Sequence, residues 1–448
     1  MIGIAGLGKS GISAANLLLK NNNEIILFDS NKELDKDELL KKFDKRYHDK
    51  IKIILGDLKA SDLKDMSYCV ISPGIDLEVD FVQTLKKNSI PIWSEVELGY
   101  KYSKGGLIAI TGTNGKTTTT SLVGEIMSDF FEKSFTVGNI GIPYTDIADK
   151  TDENSVTVLE TSSFQLETII DFKPKISAIL NITPDHLNRH HTMENYIKVK
   201  EDISKNQDEN DFCILNYEDV ILREFAKNVK AKVVFFSSKT KLDKGFYLDN
   251  DIIVKTENGK VSKILDTKKL NILGRHNYEN VMAAIAIAES YGVPMENIVK
   301  SCYDFHAVEH RIEFVKEVNG VKYYNDSKGT NPDAAIQAVL AMPSFTYIIA
   351  GGYDKGSEYD EWIESFGGKV KKLILMGATA KNIADCANRH GFKDIDMVNS
   401  MEEAVNICAR EAKSGEYVLL SPACASWGMF KNYEERGRIF KDCVKELR

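Results

Sequence analysis

The chain has 448 residues, 43% of them hydrophobic and 28% charged, with a formal net charge of −8. That length exceeds one ordinary core and points to about three domains. The acidic balance speaks against a nucleic-acid partner, which asks for a basic field, and no run of about eighteen apolar residues offers a membrane span.

Cys69, Cys213, Cys302, Cys386, Cys408, Cys424 and Cys443 are scattered and form no C-x-x-C pair. Such spacing reads as reduced thiols of a cytoplasmic protein rather than a zinc or disulfide framework. The start of the chain carries no basic leader or cleavage pattern. A soluble, cytoplasmic protein with no membrane partner is expected.

Residues 1–95 alternate strand and helix patterns. A short apolar run leads into "GLGKSG" (6–11) and a helical stretch, followed by the strands "EIILFD", "IKIIL" and "YCVIS". Residues 96–305 open on the strand "LIAIT" (107–111) and continue with "SVTVLE" (155–160) and "KISAILNI" (175–182). Residues 245–273 read as hairpins, with helices expected around 277–290 and 295–304. Residues 306–448 begin with "RIEFVKEVNGVKYYND", a hairpin turning at Asn319-Gly320. The strands "TYIIAGG", "KKLILMG" and "YVLLSP" then alternate with helices. Strands alternating with helices predict parallel sheets covered on both faces.

Two glycine-rich loops follow strands. In the first, Gly6, Gly8 and Gly11 fit G-x-G-x-x-G, and Asp29 ends the next strand. This pattern brings backbone N–H groups and a helix N-terminus to a pyrophosphate, with an acid for a ribose hydroxyl. Taken alone it fits a nicotinamide-dependent oxidoreductase. The second loop, Gly112-Thr113-Asn114-Gly115-Lys116-Thr117-Thr118, lies between a strand and a helix. Backbone donors would cradle phosphates, Lys116 would reach their β/γ end, and the Thr117 hydroxyl would meet magnesium. Ile110 stands where the common spacing has glycine, so the loop is a variant. Alone it fits a nucleotide-binding regulator as well as an enzyme.

Ligands of open α/β sheets gather beyond the carboxyl ends of strands. Those ends carry Asn139 in "VGNIG", Glu160 in "VLETSSFQLE" and His186 in "NITPDHLNRHH". Glu160 beside a phosphate loop is a natural magnesium ligand. Tyr196 and Lys200, four residues apart, share a helix face, where periodicity alone makes Lys200 a surface lysine. The last third adds polar clusters: His310 and Arg311; Asp326, Lys328, Thr330 and Asn331; Lys355; Ser426 and Tyr433.

In order and spacing, "GTNGKTT", "GNIG", "ETSSFQLE", "NITPDHLNRH", "LGRHNYEN", "EHRIE", "NDSKGTNP" and "SPACASW" span nearly the whole chain. Together they resemble the Mur ligase family of peptidoglycan synthesis. "NDSKGTNPDA" and "LLSPACAS" followed by "FKNYEERG" are similar to its D-glutamate-adding branch. The resemblance implies three α/β domains: a Rossmann-like N-terminal domain (1–95), a central P-loop mononucleotide-binding sheet (96–305) and a Rossmann-like C-terminal domain (306–448). It implies an ATP-dependent ligase that joins D-glutamate to UDP-N-acetylmuramoyl-L-alanine through an acyl phosphate. A folylpolyglutamate-type ligase shares the second loop but gives the first no role.

The resemblance also assigns residues. Lys9, Ser10, Asp29, Ser30 and Gly74 would line the uridine and diphosphate pocket, although Asn31 stands where an arginine can assist. Gly112 to Thr118, with Asn277, Asn280, Arg311 and Asp326, would bind ATP, and Asn139 would contact the muramoyl substrate. Thr117, Glu160, His186 and Lys200 would serve two magnesium ions, Lys200 matching the lysine that the family carbamylates. Lys328, Thr330, Lys355, Ser426 and Tyr433 would surround D-glutamate. Lys116, Asn139, His186, Lys200 and Arg311 would carry the catalytic work in a monomer.

Overall fold

The computed structural model describes residues 1–353 and 356–448. The first sheet joins β1 (Ile2–Ala5), β2 (Ile25–Asp29), β3 (Ile51–Leu55), β4 (Cys69–Ile71) and β5 (Ile92–Ser94) in the order 3-2-1-4-5. Its neighbouring strands all run parallel. Strands covered on both faces read as continuous apolar runs, as in "IGIA" and "IILF", and both are buried.

The second sheet contains β6 (Gly106–Thr111), β7 (Ser134–Gly138), β8 (Val156–Glu160), β9 (Ile176–Ile179), β10 (Phe212–Asn216), β11 (Lys232–Ser237), β12 (Gly245–Asp249), β13 (Ile252–Glu257) and β14 (Lys260–Asp266). Its order is 14-13-12-11-10-9-6-8-7. The hairpins expected over 245–273 are an antiparallel β12–β13–β14 ribbon continuing the parallel sheet. The expected strand 175–182 ends at Ile179, and Leu180 and Asn181 bond the backbone of Thr111 and Thr113 beside the phosphate loop.

The third sheet contains β15 (Glu313–Val318), β16 (Val321–Asn325), β17 (Thr346–Ala350), β18 (Val370–Leu375), β19 (Ile395–Met397) and β20 (Tyr417–Leu420), ordered 15-16-20-17-18-19. The hairpin β15–β16 turns at Asn319 and Gly320, whose φ values of 52° and 78° are the left-handed pair such a turn requires.

The helices that matter here are α1 (Lys9–Lys20), α2 (Glu95–Tyr102), α3 (Lys116–Phe130), α4 (Met193–Glu201), α5 (Arg275–Tyr291) and α6 (Tyr433–Glu446). The chain divides into two compact units, Met1–Asp266 with Glu279–Cys302, and Thr267–Tyr278 with Tyr303–Arg448. Buried polar contacts tie the first two sheets into the first unit. Ser13 on α1 bonds Thr145 at 2.6 Å and donates to Asp146 at 2.5 Å. Glu95, at the start of α2, accepts the Thr145 amide and hydroxyl at 2.7 and 2.8 Å. Two residues on, Glu97 accepts the amides of Ile170, Asp171 and Phe172 at 2.8 to 3.0 Å.

No disulfide joins the seven cysteines, and all but Cys443 are buried. Among the described residues, no helix is long and apolar enough to cross a membrane.

Candidate functional site

The second glycine loop bridges β6 and α3, and the end of β9 holds it in place. The Asn114 amide donates to the Asn181 side chain at 2.8 Å, and that side chain donates back to the Asn114 carbonyl at 3.1 Å. The Thr113 hydroxyl and the Thr183 backbone exchange two further bonds. Gly115 caps α3 with φ 84°, and a Cβ there would stand 2.3 Å from Asn280 Oδ1. Only glycine fits that close approach. Asn280 thus packs behind the loop, where it also accepts the Thr119 hydroxyl at 3.3 Å. The Lys116 ammonium folds over the loop onto the carbonyls of Gly112 and Thr113, both at 2.8 Å.

Lys200, on α4, is not a surface lysine. It is 1% exposed, donates to the Gly112 carbonyl at 2.9 Å and lies 4.8 Å from the Tyr196 ring centroid. Burial, reinforced by the nearby Lys116 charge and opposed by Asp185, holds its ammonium well below the usual lysine range. Periodicity placed Tyr196 and Lys200 on one face correctly; what it lacked was the phosphate loop that covers that face.

Glu160 ends β8 and is also 1% exposed. Its Oε1 accepts the Asn139 amide at 2.7 Å, while its Oε2 is buried without a hydrogen-bond partner among the described residues. An unmet buried carboxylate oxygen is expensive unless something binds it. A cavity of about 310 Å³ brings together Lys116, Asn139, His186 and Lys200 with Gly74, Ser163, Phe164, Asp185 and Tyr196. His186 sits there in the left-handed region at φ 53°, its ring 4.9 Å from Phe164. Burial leads in lowering its pKa, with Asp185 opposing. Asp185 was legible in "PDH" as a neighbour but was not singled out.

A second cavity, of about 610 Å³, lies along the first sheet and is lined by Ser30, Gly56, Asp57, Gly74, Asp76 and Phe81, among others. Of the five residues expected around uridine and diphosphate, it gathers Ser30 and Gly74. Lys9 instead donates to the Gly141 carbonyl, and Ser10 follows it on α1. Asp29 is turned onto its own loop, accepting the amides of Leu7 and Asn31 at 3.3 and 3.0 Å.

In the second unit, Asp326 follows β16 and is 6% exposed. Its carboxylate accepts the Ser421 hydroxyl at 2.8 Å. Burial pushes its pKa up to about 7, against the pull of Ser421 and Arg311. Arg311 Nε is buried without a hydrogen-bond partner among the described residues. Asn277, at the start of α5, donates to the Leu273 carbonyl at 2.7 Å. Tyr433, the first residue of α6, lies 5.5 Å from the Lys328 ammonium and 5.9 Å from the His310 ring. The Thr330 amide donates to the Lys328 carbonyl at 2.9 Å, and Ser426 is buried in the loop after β20. Lys355 lies outside the described residues.

Sequence reasoning gave no role to the buried Arg436 or the half-buried Arg189. Arg436, on α6, is 2% exposed and donates to Ser327 Oγ, the Cys424 carbonyl and the Ser327 carbonyl at 3.0, 3.1 and 2.8 Å. Elsewhere Asp360, Cys386 and His390 converge within 4.8 Å. The imidazole bonds Asp360 at 2.8 Å, Arg389 stands 3.5 Å from the same carboxylate, and the thiol belongs to the apolar core. The Arg389 guanidinium offsets the charge of that carboxylate.

Comparison with known proteins follows the whole length. The family description "Mur ligase MurD-like, N-terminal domain" matches residues 1–94, "Mur ligase middle domain" matches 110–288, and "Mur ligase, glutamate ligase domain" matches 310–424. A UDP-N-acetylmuramoylalanine–D-glutamate ligase of Lachnoclostridium phytofermentans is 53% identical, covering 99% of this chain and 98% of the relative. Among solved structures, the UDP-N-acetylmuramate-alanine ligase of Thermotoga maritima matches with a TM-score of 0.60 at 20% identity over 99% of both chains. A MurF ligase of the same organism, in complex with ADP, matches with a TM-score of 0.59 at 17% identity, over 95% of this chain and 96% of its own. These likenesses bear out the expected three-domain α/β fold.

Proposed function

This chain belongs to the Mur ligase family, and on that premise we infer that it is an ATP-dependent ligase adding D-glutamate to UDP-N-acetylmuramoyl-L-alanine in peptidoglycan precursor synthesis. The full-length match at 53% identity to a curated D-glutamate-adding ligase carries the reading. The convergence of Lys116, Asn139, His186 and Lys200 on one cavity supports it. We keep the division 1–95, 96–305 and 306–448, a monomeric state and a cytoplasmic location within the same proposal.

A carboxylate does not condense with an amine unaided, because its oxygen leaves poorly. In the proposed reaction the γ-phosphoryl group of ATP passes to the L-alanyl carboxylate. The D-glutamate amine attacks the resulting acyl phosphate, and phosphate leaves. Lys116 and Arg311 would neutralise the charge that spreads over the transferred group. The backbone donors of Gly112 to Thr118 would hold the phosphates, while Asn277, Asn280 and Asp326 would face the nucleoside. Lys9, Ser10, Asp29, Ser30 and Gly74 would receive the uridine diphosphate end. Lys328, Thr330, Lys355, Ser426 and Tyr433 would receive D-glutamate.

Hard oxygen donors suit magnesium. The unmet Oε2 of Glu160 and the Thr117 hydroxyl at the start of α3 fit such an ion, with His186 as a further ligand. When bound, magnesium would screen the phosphate charge. Burial favours the neutral amine of Lys200. That is the form to which carbon dioxide adds, forming an N–C bond and releasing a proton to leave a carbamate anion.

The test is phosphate release from ATP with UDP-N-acetylmuramoyl-L-alanine, offering D-glutamate, L-glutamate, L-lysine and diaminopimelate separately. Turnover with D-glutamate alone is expected. Turnover with a different amino acid would overturn the specificity, and no turnover in folded protein would overturn the reaction.

A further inference from the structure

Gly74 is a wall of both cavities in the first unit, the one beside Lys116 and the one beside Ser30. A Cβ at this position would meet nothing within 4 Å, so both cavities are open to its backbone. The residues flanking Gly74 are held from outside by one side chain. Arg189 donates to the Pro73 carbonyl at 3.0 Å and to the Ile75 carbonyl at 2.7 Å. Its guanidinium lies 4.3 Å from the ring centroid of Phe164, which also lines the first cavity. Glu167 clamps the same group, accepting from Nε at 3.2 Å and Nη2 at 2.5 Å. Arg189 and Glu167 are 10% and 9% exposed. His190, the next residue, bonds Ser163 at 3.0 Å, a neighbour of Phe164.

Arg189 lines neither cavity, yet it fixes a wall of each. A planar guanidinium suits this, since its donors fan out in one rigid fork and its face can stack. A lysine offers one point of charge and cannot bridge both carbonyls while keeping the Glu167 pair and the stack.

We propose that Arg189 is a positioning residue that sets the register between the two cavities, so that one ligand can place a nucleoside diphosphate in the larger and its carboxylate in the smaller. This deepens the proposed function and rests on it for the identity of that ligand. The clamp acts on a ligand that spans both cavities and leaves one that fills a single cavity unaffected. Small errors of register between a reacting group and its site weaken catalysis steeply.

Arg189→Met keeps an apolar body against Phe164 and loses the bonds to Pro73 and Ile75. Calorimetric titration with UDP alone and with UDP-N-acetylmuramoyl-L-alanine separates the effects. In the variant, the Kd for UDP is expected to stay within about twofold and that for the whole substrate to rise at least tenfold, with its KM rising in parallel and the KM for ATP unchanged. Equal weakening of both ligands, or of neither, overturns the proposal. If Arg189→Met does not fold, as judged by its thermal midpoint, Arg189→Lys is read instead. It is expected to weaken the whole substrate at least threefold with UDP unchanged, and behaviour like the parent protein overturns the proposal. A parent protein that binds the whole substrate but turns over no D-glutamate would sink the proposed reaction and leave this inference standing.

Discussion

Lys200, under the phosphate loop, and Arg436, behind the third sheet, are both almost wholly buried cations, and they answer desolvation in opposite ways. Arg436 has an oxygen opposite each of its nitrogens. Burial lowers its pKa only to about 10, so it remains charged at neutral pH. Lys200 faces a cavity, and the Lys116 charge adds to the burial that disfavours its ammonium. A buried cation whose donors all end on protein oxygens is a cross-link. A buried amine pressed toward neutrality beside a cavity is a group held ready to react. Two acids of α2 repeat the contrast. Glu97 is saturated by three amides, whereas Glu95 Oε2 has no hydrogen-bond partner among the described residues.

The largest test bears on the cavity side of this comparison. Lys116→Ala is expected to lower ATP-dependent phosphate release about a thousandfold, the scale on which removing one electrostatic stabiliser acts. Retention of a tenth of the activity would detach the loop from the chemistry. On the cross-link side, Arg436→Met strands two carbonyls and a hydroxyl and is expected to cost about 3 kcal/mol in urea denaturation. A loss below about 1 kcal/mol would mean that its bonds do not carry the second unit.

The two acids sharpen the comparison through pH. Burial, with Asp146 adding to it, raises the Glu95 carboxyl from its ordinary 4.5 to about 7. Between those values the folded chain keeps a proton that the unfolded chain has lost, so this group makes stability fall as pH rises. Glu95→Gln is expected to flatten that fall by up to about 1.4 kcal/mol per pH unit. Denaturation curves at pH 5 and 7 read it, and an unchanged slope would show Glu95 to be as fully met as Glu97. The smallest effect touches neither pair and serves as a baseline. Gly320→Ala, at φ 78° with its Cβ 2.2 Å from Ser414 Oγ, is expected to cost about 1 kcal/mol.

What was legible depended on whether the cause was local. The two glycine loops, the Asn319-Gly320 turn and the parallel sheets follow from spacing and alternation, and all are present. Glu160 and His186 could be singled out because strand ends are where ligands gather. Lys200 was promoted only by resemblance, because its burial depends on Gly112, which lies 88 positions away. Arg189 and Arg436 lie inside "NITPDHLNRH" and "FKNYEERG", yet nothing in those strings gave either arginine a role of its own. Their partners at 73 and 75, and at 327 and 424, meet them only after the chain has closed on itself. Asp29 was read as a ribose ligand from its place at the end of β2, and its bonds to Leu7 and Asn31 show the same carboxylate bracing the loop that spacing had picked out.

The buried cysteines give the fold a set of internal clocks. Cys69, Cys213 and Cys302 lie in the first unit, and Cys386, Cys408 and Cys424 in the second. A thiol reagent reaches such a sulfur only when the surrounding structure opens, so labelling under native conditions times local breathing residue by residue. Cys69 would report on the first sheet and Cys213 on the second, while the later three follow the other unit, all without introducing a single probe. Mass-resolved labelling would then tell whether the two units open together or one at a time, and whether ATP slows either of them.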